Sequence, residues 1–225
     1  MLLEFTKMQG VGNDYIYVDA RTQDVPDPSG LAKRLSDRHF GIGGDGLVLI
    51  LPPANAAAHI TMAMYNADGS EGMMCGNAVR CVAEWLLERK VMSGNVVRIA
   101  TKSGIKTVRR LREHYYSVTM GSGTVEKVQL VGIQDLTAVN IGNPHVVWFP
   151  QFDITRYDIK RLGRRIERSR LFPGGTNVEF VRVVGDNALQ MRVWERGSGE
   201  TLGCGTGACA AALAAVARGV CNREN

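Results

Sequence analysis

Three landmarks recur in this sequence in the same order. Gly12-Asn13 precedes the apolar run Tyr15-Ile16-Tyr17-Val18, and Gly142-Asn143 precedes Val146-Val147-Trp148-Phe149. Gly43-Gly44 leads into Leu47-Val48-Leu49-Ile50, as Gly174-Gly175 leads into Val178-Glu179-Phe180-Val181. Cys75-Gly76 opens a run continuing through Cys81, Val82 and Leu86, and Cys204-Gly205 opens one continuing through Cys209 and Leu213. Partners in the three pairs stand 129 to 131 positions apart, so the chain reads as two copies of one supersecondary plan. The expected division is a first domain over 1–125 carrying Cys75 and a second over 126–225 carrying Cys204.

Within each copy, apolar runs bounded by glycine predict strands, and a cysteine then opens a helix. In MCGNAVRCVAEWLLERK, the residues Ala78, Cys81, Val82, Trp85 and Leu86 have the spacing of one helical face. The alanine-rich stretch from about Gly205 to Ala217 predicts the second helix. Strands are expected over Val96 to Ala100, Ile105 to Arg109 and Tyr115 to Met120. By the repeat offset Asn225 corresponds to residue 96, so the second copy is expected to lack the counterparts of those last strands. The fold class is α/β (α+β), as two similar domains. If a pseudo-twofold axis relates the two copies, their cysteines are expected to face one cleft.

Composition narrows the function classes. With 45% hydrophobic and 22% charged residues, the chain is no disordered tail, collagen-like chain or disulfide-dense module. The longest apolar stretches, Leu47 to Pro53 and Ala208 to Ala217, fall short of the roughly 20 residues of a membrane helix. MLLEFTKMQG does not read as a signal peptide, and a cytoplasmic location is expected. The net charge of +5 comes from scattered basic residues without interleaved aromatics, which argues against nucleic acid. Five cysteines without a CxxC spacing, and four scattered histidines, predict reduced thiols and no metal.

A cysteine at a helix N-terminus meets the positive end of the helix dipole, which is expected to lower its pKa and make it a candidate thiolate. The neighbouring N–H groups, unobstructed because glycine follows, can hold a carboxylate. Two such cysteines could invert a carbon acid without a cofactor. One as thiolate takes a proton from one face, and the other as thiol returns a proton to the opposite face. The pair then carries one proton between them, and its pKa values belong to the couple.

The segments MYNADGSEGMMCGNAVRC and VWERGSGETLGCGTGAC, with GVGNDYIYVD, RHFGIGGDG, GNPHVVWF and GGTNVEF, resemble the diaminopimelate epimerase family over nearly the whole chain. The resemblance implies a cofactor-independent isomerase interconverting LL- and meso-diaminopimelate in lysine and peptidoglycan-precursor synthesis, and a fold of two similar domains, each a sheet wrapped around a central helix, pseudo-twofold related with the active site in the cleft between them. It implies Cys75 and Cys204 as the acid/base pair, and Gly76 with Asn77, and Gly205 with Thr206, as the holders of the reacting carboxylate. Asn13, Asn66, Asn143 and Asn177 are implied to line the site. Glu195 and Arg196 are implied to grip the distal end, and His145 with Glu195 to tune the cysteines. The implied partners are a small-molecule substrate and, at most, a second copy of the chain in a homodimer, with no nucleic acid or membrane. Family members that carry Gln where Gly46 stands have a substrate contact this chain lacks. The stretch from Met120 to Ala138 is also shorter here, and the family usually continues past the Cys204 helix with further strands.

Each residue also has a plainer reading. Cys81, Cys209 and Cys221 read as core thiols. Asn13 and Asn143 follow glycine and could be turn residues, Glu195-Arg196 a surface ion pair, and His145 a loop histidine. GIGGDG matches GxGxxG formally but leads into a strand rather than a helix, so nucleotide binding is not expected. Two other functions compete. One is a two-cysteine racemase of proline, hydroxyproline or histidine, disfavoured by the full set Asn66, Asn177 and Arg196. The other is a non-catalytic thiol protein using a Cys75 to Cys204 disulfide.

Overall fold

The computed structural model describes residues 2–223 and divides between Thr119 and Met120 into two compact units. The first contains β1 (Thr6–Gly10), β2 (Asn13–Asp19), α1 (Pro28–Ser36), β3 (Gly46–Leu51), β4 (Ile60–Asn66), β5 (Glu71–Gly72), α2 (Gly76–Glu88), β6 (Val96–Thr101), β7 (Gly104–Arg112) and β8 (Tyr115–Val118). Its sheet runs in the order β1-β2-β3-β4-β6-β7-β8, with β5 pairing β4. Only β2 with β3 and β4 with β6 are parallel, and these are the pairs joined across α1 and α2, since parallel neighbours need a crossover.

The unbroken apolar runs of β2 and β3 follow from helices covering both faces of the strands. Tyr15, Tyr17, Val48 and Ile50 pack with Val79, Val82 and Leu86 of α2. Their neighbours of opposite parity, Ile16, Val18, Leu47 and Leu49, pack with Ala32 of α1.

The second unit contains β9 (Thr124–Leu130), β10 (Ile133–Asn140), β11 (Pro144–Trp148), α3 (Ile159–Glu167), β12 (Asn177–Gly185), β13 (Ala188–Glu195), β14 (Gly199–Thr201) and α4 (Gly205–Ala217). The sheet order is β9-β10-β11-β12-β13-β14, and β11 with β12 is its parallel pair. Val178 and Phe180 face α3 through Ile159, Leu162 and Ile166, while Val147 and Val181 face α4 through Ala210, Ala211 and Ala214. The repeat is therefore a structural one: β1 through α2 has the same plan as β10 through α4. The units differ at the sheet edges, where β6 to β8 follow α2 but β9 precedes β10.

The outer helices α1 and α3 are short and largely polar, but α3 sets Ile159, Leu162 and Ile166 at the spacing of one helical face. Both start on an aspartate, and Asp27 and Asp158 accept from the backbone N–H of Gly30 and Lys160. The arginines of α3, Arg161, Arg164 and Arg165, lie on its exposed face, opposite buried Ile159, Leu162 and Ile166. Asp27→Ala is expected to destabilise the first unit by about 1 kcal/mol, the usual worth of an N-cap. Urea unfolding reads it, and an unchanged midpoint would show that the cap contributes nothing. No helix among the described residues is long and apolar enough to cross a membrane.

Candidate active site

Cys75 is the N-cap of α2, with extended backbone at φ −129° and ψ 122°. Gly76 and Asn77 behind it are buried. The Asn77 amide donates to Asn13 Oδ1 at 2.7 Å, which brings the start of β2 to the helix N-terminus. Asn13 in turn donates to Asp45 Oδ2 at 3.2 Å, and Arg80 Nη1 donates to Gly76 O and Asn77 Oδ1. Neither asparagine is a mere turn residue. Asn66 ends β4, but its amide donates to Ser70 Oγ at 2.9 Å in the turn leading to β5. Gly46 is dictated by backbone approach: a Cβ there would lie 2.1 Å from the Tyr65 carbonyl oxygen. A glutamine side chain has no room there on this backbone. As expected, residues 41 to 46 lead into β3, not into a helix.

Cys204 is the N-cap of α4, at φ −121° and ψ 119°, and accepts from the Gly207 N–H at 3.4 Å. Its Sγ lies 3.3 Å from Thr206 Oγ1. Asn143 Nδ2 is 3.4 Å from the same hydroxyl, repeating the Asn13–Asn77 contact of the first unit. Asn143 Oδ1 is 3.1 Å from His145 Nε2, and His145 Nδ1 is 2.7 Å from Glu179 Oε1. His145 and Glu179 have fully buried side chains, so His145 is a core residue rather than a loop one.

Asn177 Oδ1 accepts from the Arg196 backbone N–H at 2.9 Å, and Asn177 Nδ2 donates to Pro144 O at 3.3 Å. Glu195 accepts from the Thr201 hydroxyl, and Arg196 Nη1 donates to Gly174 O at 3.0 Å. These two residues thus have separate partners, not the mutual surface ion pair their adjacency suggests. The structure gathers Asn143, His145, Thr206 and Cys204 in one hydrogen-bonded set, and Asn177 with Arg196 in another.

Burial pushes the Cys204 thiol up to about 12, with the Glu195 carboxylate adding to the rise. The Thr206 hydroxyl and Gly207 N–H pull the other way and are outweighed. The lowered pKa expected of a helix N-terminal cysteine is therefore corrected here. At this position desolvation and the nearby carboxylates outweigh the hydrogen bonds offered at the helix start and favour the thiol form of Cys204.

Two residues escaped the sequence reading. Asp45 bonds Asn13 and lies 3.0 Å from Arg38, which also holds Asp14 at 2.7 Å and keeps the Asp14 carboxyl below its ordinary range. Glu179 is the other, and its signal was a charged residue inside the apolar run of β12. Among the described residues, Glu84, Glu88 and His114 form a cluster of metal-ligand composition. It lies toward the other end of α2 from Cys75, and a 2.7 Å His114–Glu84 ion pair accounts for its closest contact.

The family model described as diaminopimelate epimerase matches residues 5–128 and 137–225. The chain is 44% identical to the diaminopimelate epimerase of Desulfovibrio desulfuricans, covering 99% of this chain and 86% of the relative. It is 43% identical to that of Acetivibrio thermocellus, with the same coverage. Among solved structures, a hydroxyproline epimerase of Agrobacterium vitis aligns with a TM-score of 0.68 at 16% identity, covering 99% of this chain and 79% of that one. A phenazine biosynthesis protein of the PhzF family from Bacillus anthracis aligns with a TM-score of 0.66 at 13% identity, covering 95% and 79%. At these identities the solved structures speak to the fold.

Proposed function

We infer the reaction from family and local geometry together: the chain belongs to the diaminopimelate epimerase family, and each of its units carries a cysteine as the N-cap of a helix. The protein is an amino-acid epimerase that interconverts LL- and meso-diaminopimelate, a step toward lysine. The single observation that carries the mechanism is the placement of Cys75 and Cys204 at equivalent points of a structural repeat, because inverting a stereocentre calls for equivalent groups on two faces.

In the forward half, the thiolate of one cysteine takes the α-proton, and the electron pair passes onto the carbon and its carboxylate. The thiol of the other cysteine then delivers its proton to the opposite face, leaving a thiolate. The proton count of the pair is unchanged, but its location is exchanged. Gly76 with Asn77, and Gly205 with Thr206, offer N–H groups at the two helix N-termini where carboxylate charge grows during the reaction, a preorganised electrostatic contribution. Because burial and Glu195 favour the protonated form of Cys204, we assign Cys204 as the resting acid, which leaves the role of base to Cys75. His145 and Glu195 adjust this balance.

The zwitterionic, two-ended substrate accounts for the rest of the set. The amides of Asn13, Asn66, Asn143 and Asn177 offer both donors and acceptors, and Glu195 with Arg196 suits the distal ammonium and carboxylate. Arg196→Met is expected to raise KM by about tenfold or more with a smaller change in kcat, since a hydrogen bond to a charged group contributes about 1.5–3 kcal/mol of binding. A fall in kcat at unchanged KM would contradict the distal assignment. We place the protein in the cytoplasm, where the reaction's thiols stay reduced.

Incubation of the reduced protein with LL-diaminopimelate, without pyridoxal phosphate, tests the reading by chiral chromatography. The expected result is a mixture of LL and meso forms. Inversion of proline, hydroxyproline or histidine in place of diaminopimelate would move the protein to the related racemases.

A further inference from the structure

A carboxylate buried in a strand between two helices is expensive unless it is paired and used. Glu179 is such a residue, with a fully buried side chain on β12. Nothing in the plan of the fold asks for charge there. The first unit has Val48 at the equivalent point of β3, and Tyr15 at the equivalent of His145 on β2, both buried. The second unit thus has a histidine and a glutamate where the first has a tyrosine and a valine, at the same place behind its cysteine.

We propose that Glu179, held by His145 against the first turn of α4, is a positioning residue that keeps Cys204 as the proton-carrying member of the pair, so that the two half-sites are inequivalent. The inference rests on the epimerase reading and deepens it. Its physical basis is the placement of a buried carboxyl group beside the first turn of α4, fixed by His145 at 2.7 Å, which Asn143 holds in turn at 3.1 Å. The onward contacts of Asn143 to Thr206 at 3.4 Å and Thr206 to Cys204 at 3.3 Å bring a hydroxyl to the sulfur and oppose its protonation. Glu179 Oε2 is buried without a hydrogen-bond partner, so the carboxyl group has not spent its capacity on the structure around it.

Packing at the helix start agrees. A Cβ on Gly207 would lie 2.7 Å from Glu179 Oε1 and 3.1 Å from the Cys204 Cβ, so glycine at this position is what lets the carboxyl group approach the first turn of α4. The ionisable groups facing Cys204 within its unit are His145 from β11, Glu179 from β12 and Glu195 from β13, while the first turn of α4 carries no acidic residue. Both carboxylates oppose a negative charge on Cys204.

The test is the alkylation rate of each cysteine by iodoacetamide at pH 8.5, resolved by peptide mass mapping, because it reads the thiolate without needing turnover. Glu179→Gln keeps the volume and an acceptor for His145 but removes the charge. It is expected to raise the Cys204 rate by about tenfold, equivalent to one unit of pKa, while the Cys75 rate stays within twofold. A second variant, His145→Tyr with Glu179→Val, installs the pair that the first unit already packs, and is expected to raise the Cys204 rate at least as much. An unchanged Cys204 rate in a folded variant, or an equal rise at both cysteines, would overturn the proposal. If Cys204 responds as expected but diaminopimelate is not epimerised by the parent protein, the half-site inference stands and the substrate assignment falls.

Discussion

Replacing either Cys75 or Cys204 by alanine is expected to lower the epimerisation rate by about a thousandfold or more, since positioned acid–base groups each contribute roughly 10²–10⁴-fold. The two variants fail in different ways. With Cys204→Ala, the resting base Cys75 remains, and the substrate can still lose its α-proton on one face and regain one there. Exchange with solvent without inversion is therefore expected at the face that Cys75 serves. With Cys75→Ala, the remaining group is a thiol held protonated by burial and Glu195, so both inversion and exchange are expected to collapse from this direction. Equal residual exchange in the two variants would contradict unequal half-sites. Fold should be retained in both, because each cysteine is an N-cap with extended backbone that alanine can adopt.

The second large effect is on stability. His145→Leu is expected to destabilise the second unit by about 3 kcal/mol, the upper end of the cost of leaving a buried polar group without its hydrogen-bond partner. Glu179 would then keep a carboxyl group with no exposure and no partner for either oxygen. At about 2–4 °C per kcal/mol for a chain of this size, the melting temperature should fall by about 10 °C. The penalty has a definite pH dependence. Burial raises the Glu179 carboxyl above its ordinary range, and a group raised in the folded state contributes stability at low pH that is lost as pH rises through its folded value. Removing His145 takes away an influence that lowers it, so the deficit of His145→Leu should be smaller at pH 5 than at pH 8. A deficit independent of pH would mean that lost packing, not charge, is responsible.

Much of this was legible in the chain because it is carried by local pattern. The repeat of glycine landmarks exposed the twofold plan, and Cys-Gly at the start of a helical periodicity located both N-caps. The strand expected to follow the glycine-rich loop is there, beginning at Gly46, and the structure adds why that glycine is needed. The outer helices were passed over although α3 carries Ile159, Leu162 and Ile166 at the spacing of one helical face, a stripe easily lost among its arginines. Their aspartate caps were a second available signal. The ionisation of Cys204 could not be read because local sequence reports the dipole but not the desolvation or the carboxylates that β12 and β13 bring up. Asn66 shows the same limit: its motif pointed to the site, while its amide is engaged with Ser70. Glu179 was visible as an oddity within an apolar run, but its chain of contacts to Cys204 joins residues from β11, β12 and α4 and exists only once those elements are packed.

The central claim is inversion by two different acid–base groups, and deuterium incorporation during a single pass of reaction tests it most directly. LL-diaminopimelate is incubated with the reduced protein in D₂O, and both isomers are isolated at low conversion for mass analysis. The account predicts one deuterium at the inverted centre of the meso product, with the recovered LL form still carrying protium. Protium retained in the product, or substrate and product labelled alike from the start, would indicate one group serving both faces and would contradict it.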